Sequence, residues 1–131
     1  YQIHSNTAYA LQEIIILANN PLSSLSFFQK THGPGSIAHD GEDLSIKLHN
    51  GLISLLTPTS FEKRFGPGTS KKTKTPKFAG FQISVSNIID TKVTLRNAGL
   101  ETREFNKRIQ LGPHDNFDTI IEFVERDLGY A

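Results

Sequence analysis

The sequence predicts an α+β fold built from two βαβββ modules, and three observations carry that prediction. The chain has 131 residues with 37% hydrophobic content, which is the size and composition of one ordinary domain. Each half runs through the same order of elements: an apolar strand, a helix, then short strands. A displacement of 68 positions, Ile15 onto Ile83, superimposes the two halves without a gap.

The first half opens with Leu11–Ala18, a β-branched apolar run that reads as a strand buried on both faces. Asn20 is placed to cap a helix, with Pro21 at its first position, where a missing N–H costs nothing. Leu22, Leu25 and Phe28 recur at helical spacing, and Gly33-Pro34 ends the helix with Gly33 in the left-handed position. Ser36–His39 is the weakest strand candidate. Leu44–His49 is a clearer one. Asn50-Gly51 is a two-residue hairpin signal of type I′, and Leu52–Leu56 returns until Thr57-Pro58 stops it.

Residues 66–77 (GPGTSKKTKTPK) lack apolar side chains and carry four lysines, so they read as a linker or long loop. The second half then repeats the first. Phe78–Ser86 is a strand, and Asn87 caps a helix bearing Ile89, Val93 and Ala98 that Gly99 closes. Leu100–Phe105 and Arg108–Leu111 flank an Asn106-Lys107 turn, and Thr119–Val124 is the last strand. Across the displacement Leu17 meets Val85, Asn19 meets Asn87, Leu25 meets Val93 and Leu52 meets Ile120. The expected layout is a lead-in over 1–9, one domain over 10–125 and a tail over 126–131. Within the domain, module one spans about 10–58 and module two about 78–125.

Composition narrows the function classes. There is no cysteine, which excludes disulfides, thiolate zinc sites, iron–sulfur clusters and a cysteine nucleophile. Lys+Arg 14 against Asp+Glu 13 gives a net charge of +1, without the basic surplus expected of a nucleic-acid partner. No apolar run reaches membrane-spanning length and no signal-peptide pattern opens the chain, so the expectation is a soluble cytoplasmic domain with no membrane partner. The chain begins at Tyr1 and has no Met, which reads as a processed chain or a piece of a longer one.

The paired pattern resembles the vicinal oxygen chelate superfamily of glyoxalases, ring-cleaving dioxygenases and bleomycin-resistance proteins. Three stretches carry the resemblance: Glu13–Pro21 with its helix, Ala79–Val85 with Ile88–Ala98, and Ile120–Val124. His4–Ala8, Leu55–Pro58 and Phe61-Glu62-Lys63-Arg64-Phe65 are similar to the C-terminal domain of bacterial two-domain glyoxalase-like proteins. The resemblance implies a half-open mixed barrel with a cleft for a small molecule, and either an upstream domain of the same kind or a homodimer partner. It also implies that each module offers two side chains to a metal, one from its first strand and one from its last. Those positions hold Glu13 and Ser54 in module one, and Phe81 and Glu122 in module two. Phe81 cannot ligate, and two carboxylates without a histidine suit zinc, iron or nickel poorly. The expectation is therefore no cofactor, or at most a weakly bound divalent ion on Glu13 and Glu122. The function implied is a glyoxalase-like binding domain without a complete metal site. The alternatives are an isomerase, lyase or dioxygenase working through the two glutamates, and a ligand-sequestering dimer.

Glu13 and Glu122 stand out on physical grounds too, because a carboxylate inside an apolar strand must be paired or face a wet cleft. They are the candidate catalytic pair. Ser54, Phe81, Arg103, Arg108 and His114 complete the candidate cleft, with the two arginines flanking a turn where they would clamp an anion. His39-Asp40 and His114-Asp115 read as turn residues, since sequence neighbours on a strand point apart. Gly33-Pro34-Gly35 and Gly66-Pro67-Gly68 lack the Lys-Ser/Thr of a phosphate loop.

Overall fold

The computed structural model describes residues 8–70, 73–112 and 119–126, with the side chain of Tyr9 excepted. Eight strands and three α-helices follow one another among these residues. They are β1 (Ala8–Leu17), α1 (Leu25–His32), β2 (Ile37–Asp40), β3 (Asp43–Lys47), β4 (Leu52–Leu56), α2 (Pro58–Phe65), β5 (Lys77–Val85), α3 (Ile88–Asn97), β6 (Thr102–Phe105), β7 (Arg108–Leu111) and β8 (Ile120–Glu125). The α+β class and the two βαβββ modules are as the sequence predicts. None of the helices is long and apolar enough to cross a membrane.

The chain forms two compact units. One is Glu13–Ala79; the other runs from Gly80 onward and takes in β1 as far as Gln12. In the first unit β2 pairs with β3 and β3 with β4, both antiparallel, while β4 pairs parallel with β1. The second unit repeats the scheme: β6–β7 and β7–β8 are antiparallel and β8–β5 is parallel. Each parallel pair demands a crossover, which α1 and α3 supply in their respective modules.

Alternation along the strands gives each sheet two unlike faces. In the first unit Leu44, Ile46 and Leu55 form a buried aliphatic cluster, with Ile16, Ile53, and Leu25 and Phe28 of α1 packed on it. In the second unit Val85, Leu95, Ile109, Leu111 and Phe123 do the same, joined by Ile83, Ile88, Ile121 and Ala8. The opposite faces carry the polar residues described below.

The sequence expectation and the structure part company at several elements. β1 begins at Ala8, three residues before the apolar run, because Ala8 packs on the second unit's cluster. Asn20 makes no side-chain cap, and Pro21–Ser24 is a 3₁₀ turn leading into α1; Gly33 ends α1 with φ 79° as expected. The weak strand near Ser36–His39 is β2. Helix α2 is an addition. Thr57 accepts a hydrogen bond from the Ser60 N–H, Pro58 fills the first turn, and Phe61 and Phe65 stack one turn apart at 4.6 Å between centroids.

Asn50-Gly51 is not a two-residue turn. Beyond the Lys47–Leu52 pair the Leu48 N–H donates to the Gly51 carbonyl at 2.8 Å, so His49 and Asn50 lie at the tip, and neither Asn50 nor Gly51 has positive φ. The left-handed pair lies instead at Asn106 (φ 52°) and Lys107 (φ 63°), between paired Phe105 and Arg108, which is the type I′ arrangement. Asn87 caps α3 by accepting from the Ile89 and Asp90 N–H groups. The helix, however, buries Thr91 and Leu95 and leaves Ile89 and Val93 exposed, so its apolar spacing points to the wrong face.

Candidate functional site

Glu13 is buried on β1, in the first unit. Its carboxylate accepts from the Ser54 hydroxyl on β4. Arg64 of α2 grips the same carboxylate with both ends of its fork, Nη2 to Oε1 at 2.6 Å and Nη1 to Oε2 at 2.9 Å. A planar guanidinium meeting a carboxylate in two parallel bonds is the strongest form of this contact. Ser54 sits opposite Ile15, two residues along from Glu13 on the same face, which brings the two side chains together. Glu13 and Ser54 are thus neighbours, with Arg64 completing the cluster. The signal for Arg64 lay in the Thr57-Pro58 start and the Phe61/Phe65 spacing, which together define the helix presenting it.

The second unit holds a different constellation. Gln82 on β5 lies opposite Glu122 on β8, Glu122 opposite Gln110 on β7, and Gln110 opposite Arg103 on β6. These four residues form one polar row across β5, β8, β7 and β6. The amide of Gln82 donates to Glu122 Oε1 at 2.7 Å, and Arg103 donates through Nη2 and Nε to Gln110 Oε1 at 2.8 and 3.3 Å. Arg108, two residues from Gln110 on the same face, reaches Glu122 Oε1 through Nη1 at 3.2 Å. Glu122 and Gln110 are each only 1% exposed, while a third of the Arg108 side chain faces solvent. Ser84, two residues beyond Gln82, is fully buried, and its hydroxyl has no hydrogen-bond partner among the described residues.

The structure places Phe81 on the other face of β5 from Gln82. Here the gapless displacement of 68 misleads: Ser54 faces Ile15 but Glu122 faces Gln82, so the first strands correspond at 67 (82 − 15). A slip of one residue exchanges the faces of a strand. Gln82 and Gln110 therefore belong to the cluster although neither was singled out. Their signal was present as lone polar residues inside apolar strands. His114 lies outside the described residues.

The two glutamates at the positions that the resemblance assigns to a metal are each held by an arginine. Both oxygens of Glu13 are engaged by Arg64, and Glu122 Oε1 is shared by an amide and a guanidinium. Among the described residues no three His, Cys, Asp or Glu side chains gather into a metal-binding group. A guanidinium against a carboxylate supplies the balancing charge a cation would otherwise bring.

No protein-family model matches the sequence, and no curated protein matches it. Solved structures do. Methylmalonyl-CoA epimerase from Mycobacterium tuberculosis aligns over 95% of this chain and 93% of its own, with TM-score 0.64 and 14% identity. A single-substitution variant of Streptomyces coelicolor methylmalonyl-CoA epimerase, in complex with 2-nitronate-propionyl-CoA, aligns over 90% of this chain and 97% of its own, with TM-score 0.60 and 16% identity. A hypothetical protein from Bacillus halodurans C-125 aligns over 93% and 97% with TM-score 0.60 and 14% identity. At such identities the likeness is one of fold: this chain has the paired βαβββ fold of the methylmalonyl-CoA epimerases, which is the vicinal oxygen chelate fold that its sequence resembles.

Proposed function

We propose that the chain is a small-molecule-binding domain that works without a resident divalent metal. The observation carrying this reading is that each buried glutamate is held by an arginine of its own unit, Glu13 by Arg64 and Glu122 by Arg108. A ligating carboxylate needs open lone pairs, and a general base needs a site to receive a proton. Here the carboxylates are spent on orienting guanidinium groups. The fold supports the binding half of the reading, since epimerases that share it hold 2-nitronate-propionyl-CoA and methylmalonyl-CoA.

The chemistry open to such a site is recognition. Arg108 and Arg103 present guanidinium N–H donors in a fixed fork geometry. Glu122 and the two glutamines fix where those donors point, which lowers the ordering cost of binding.

Elemental analysis of the purified protein tests the metal half. The expected result is zinc, nickel, iron and manganese far below one equivalent. Added magnesium or manganese should barely raise the melting temperature, as for oxygen-only sites with Kd of about 10⁻⁴ M or poorer. Close to one equivalent of a transition metal, lost on Glu122→Gln, would overturn the reading in favour of a metal-dependent isomerase or lyase.

A further inference from the structure

We infer that the tip of the β3–β4 hairpin is a site of covalent self-modification, where Asn50 closes a cyclic imide with the Gly51 nitrogen and opens to aspartate and isoaspartate.

The reaction joins two groups that are neighbours in the chain. The Gly51 backbone nitrogen attacks the Asn50 side-chain carbon Cγ. An N–Cγ bond forms and the Cγ–Nδ2 bond breaks. The side-chain nitrogen leaves as ammonia, carrying off the Gly51 proton. Water then opens the ring. Opening at Cγ gives aspartate, and opening at the main-chain carbonyl carbon gives isoaspartate, with the backbone rerouted through Cγ. Both reactants belong to one chain, so ring closure carries no encounter cost. What decides it is whether the fold leaves the amide and the N–H uncovered and unbonded.

At this tip it does. Asn50 is exposed, as is His49 beside it. The turn is tied through the Gly51 carbonyl, which accepts from the Leu48 N–H at 2.8 Å. Among the described residues nothing accepts from the Gly51 N–H, and nothing bonds the Asn50 amide. Asn50 is also the one asparagine of the chain that precedes glycine, so no Cβ crowds the attacking nitrogen.

Other asparagines are held back by their surroundings. Asn19 gives its amide to the Thr73 carbonyl. Asn20 precedes Pro21, whose nitrogen carries no proton. Asn87 caps α3 through its side-chain oxygen, and the Ile88 N–H that would attack it donates to Glu125 at 2.9 Å. The Ala98 N–H that would attack Asn97 donates to the Thr94 carbonyl at 3.1 Å. Asn106 precedes Lys107, which carries a side chain.

The product alters the hairpin. Either acid puts a negative charge next to His49. Isoaspartate also inserts a main-chain carbon into the turn that the Leu48–Gly51 bond closes, and so breaks that bond. The ladder from Leu44–Leu55 to Lys47–Leu52 lies beyond the insertion and stays paired.

Mass spectrometry tests this on the full chain, held folded for weeks in warm neutral buffer made with heavy-oxygen water. Tryptic peptide 48–63 contains no other side-chain amide, so amide loss there reports Asn50 alone. That peptide should convert to the acid, take up heavy oxygen and include isoaspartate, detected by an isoaspartyl methyltransferase. Peptides holding Asn97 and Asn106 should keep their amides. Gly51→Ala should slow the loss about fivefold or more, the rate equivalent of glycine's extra backbone freedom. Asn50→Gln should abolish it over the same period, because a larger ring must close. An Asn50 amide retained in the folded chain would overturn the proposal, whether or not the chain in guanidinium chloride loses it. So would aspartate without isoaspartate, which bypasses the ring, or equal amide loss at Asn97.

Discussion

A carboxylate placed inside an apolar strand must find a cation, and the two glutamates solve this in their own units with different geometry. Arg64 closes a two-bond fork on Glu13, and its side chain is 22% exposed. Arg64→Ala would strip buried Glu13 of the guanidinium that meets both its oxygens. Breaking a buried pair from one side costs about 3–5 kcal/mol. With a fifth of the arginine in water, we expect a loss near the lower end, about 3 kcal/mol, read by urea unfolding. Arg64→Lys should recover part of it, since a lysine restores the charge but not the fork. A destabilisation below about 1 kcal/mol for the alanine variant would show that water solvates Glu13. Ser84 poses the opposite case. Its buried hydroxyl has no partner among the described residues, so Ser84→Ala removes a desolvation penalty and little packing. The variant should match or exceed the parent by up to about 1 kcal/mol. A clear loss of stability would mean that the hydroxyl is bonded in solution.

At the scale of elements, the parallel β5–β8 pair depends on a glycine. Gly80 lies opposite Ile120, and a Cβ placed on it would come 2.5 Å from the Ile120 carbonyl oxygen. That atom is backbone and cannot swing aside. Gly80→Ala should therefore push the strands apart and cost about 2 kcal/mol or more, seen as a lowered melting temperature. It should also disturb Glu122, two residues along β8. The β6–β7 turn responds in the other direction. Lys107 pays for a left-handed conformation at φ 63°, which glycine adopts freely. Lys107→Gly should stabilise the hairpin by about 0.5 kcal/mol, whereas Gly51→Ala should change little, because Gly51 has no positive φ to lose. The contrast between the two turns shows which features a sequence displays. Asn-Gly is a strong statistical signal, yet here Gly51 lies opposite Leu48, bonded through its carbonyl, and not in the left-handed turn. Asn87 was legible as a cap because capping is local. The buried face of α3 was not, because Ile89 and Val93 satisfy helical spacing as well as Thr91 and Leu95 do. Only the partner sheet chooses between those faces. Glu13, Ser54, Glu122 and Arg108 were readable in the same way, as polar groups set into apolar strands or beside a turn. Gln82 was hidden by a one-residue difference in parallel register, and Arg64 because it lies on a helix, Pro58–Phe65, that the sequence reading does not include.

Over the whole molecule, the repeat in sequence and the division in space do not coincide. The modules repeat around residues 66–77, but the compact units change over at Gln12/Glu13 and at Ala79/Gly80, inside β1 and inside β5. The unit that holds β5–β8 also takes the first residues of β1, and Ala8 packs on its aliphatic cluster with Leu95 and Phe123. Cutting the chain in the lysine-rich segment would therefore give two fragments, neither of which contains one complete unit. The 77–131 fragment would lack the strand that brings Ala8 to its core. The 1–66 fragment would carry that strand with nothing of its unit to receive it. Modules of this size bury too little surface to stand alone, even when intact. We therefore expect the full chain to melt in one transition, with equal calorimetric and van't Hoff enthalpies. Separately produced 1–66 and 77–131 should lack native-like amide dispersion, and mixing them should restore part of it. A chain shortened to begin at Glu13 should lose stability in the β5–β8 unit first, with hydrogen exchange at Ile109 and Phe123 accelerating before that at Leu44 and Ile46. Two resolved transitions in the intact chain, or an independently folded 77–131 fragment, would show instead that each sequence repeat carries a self-sufficient core.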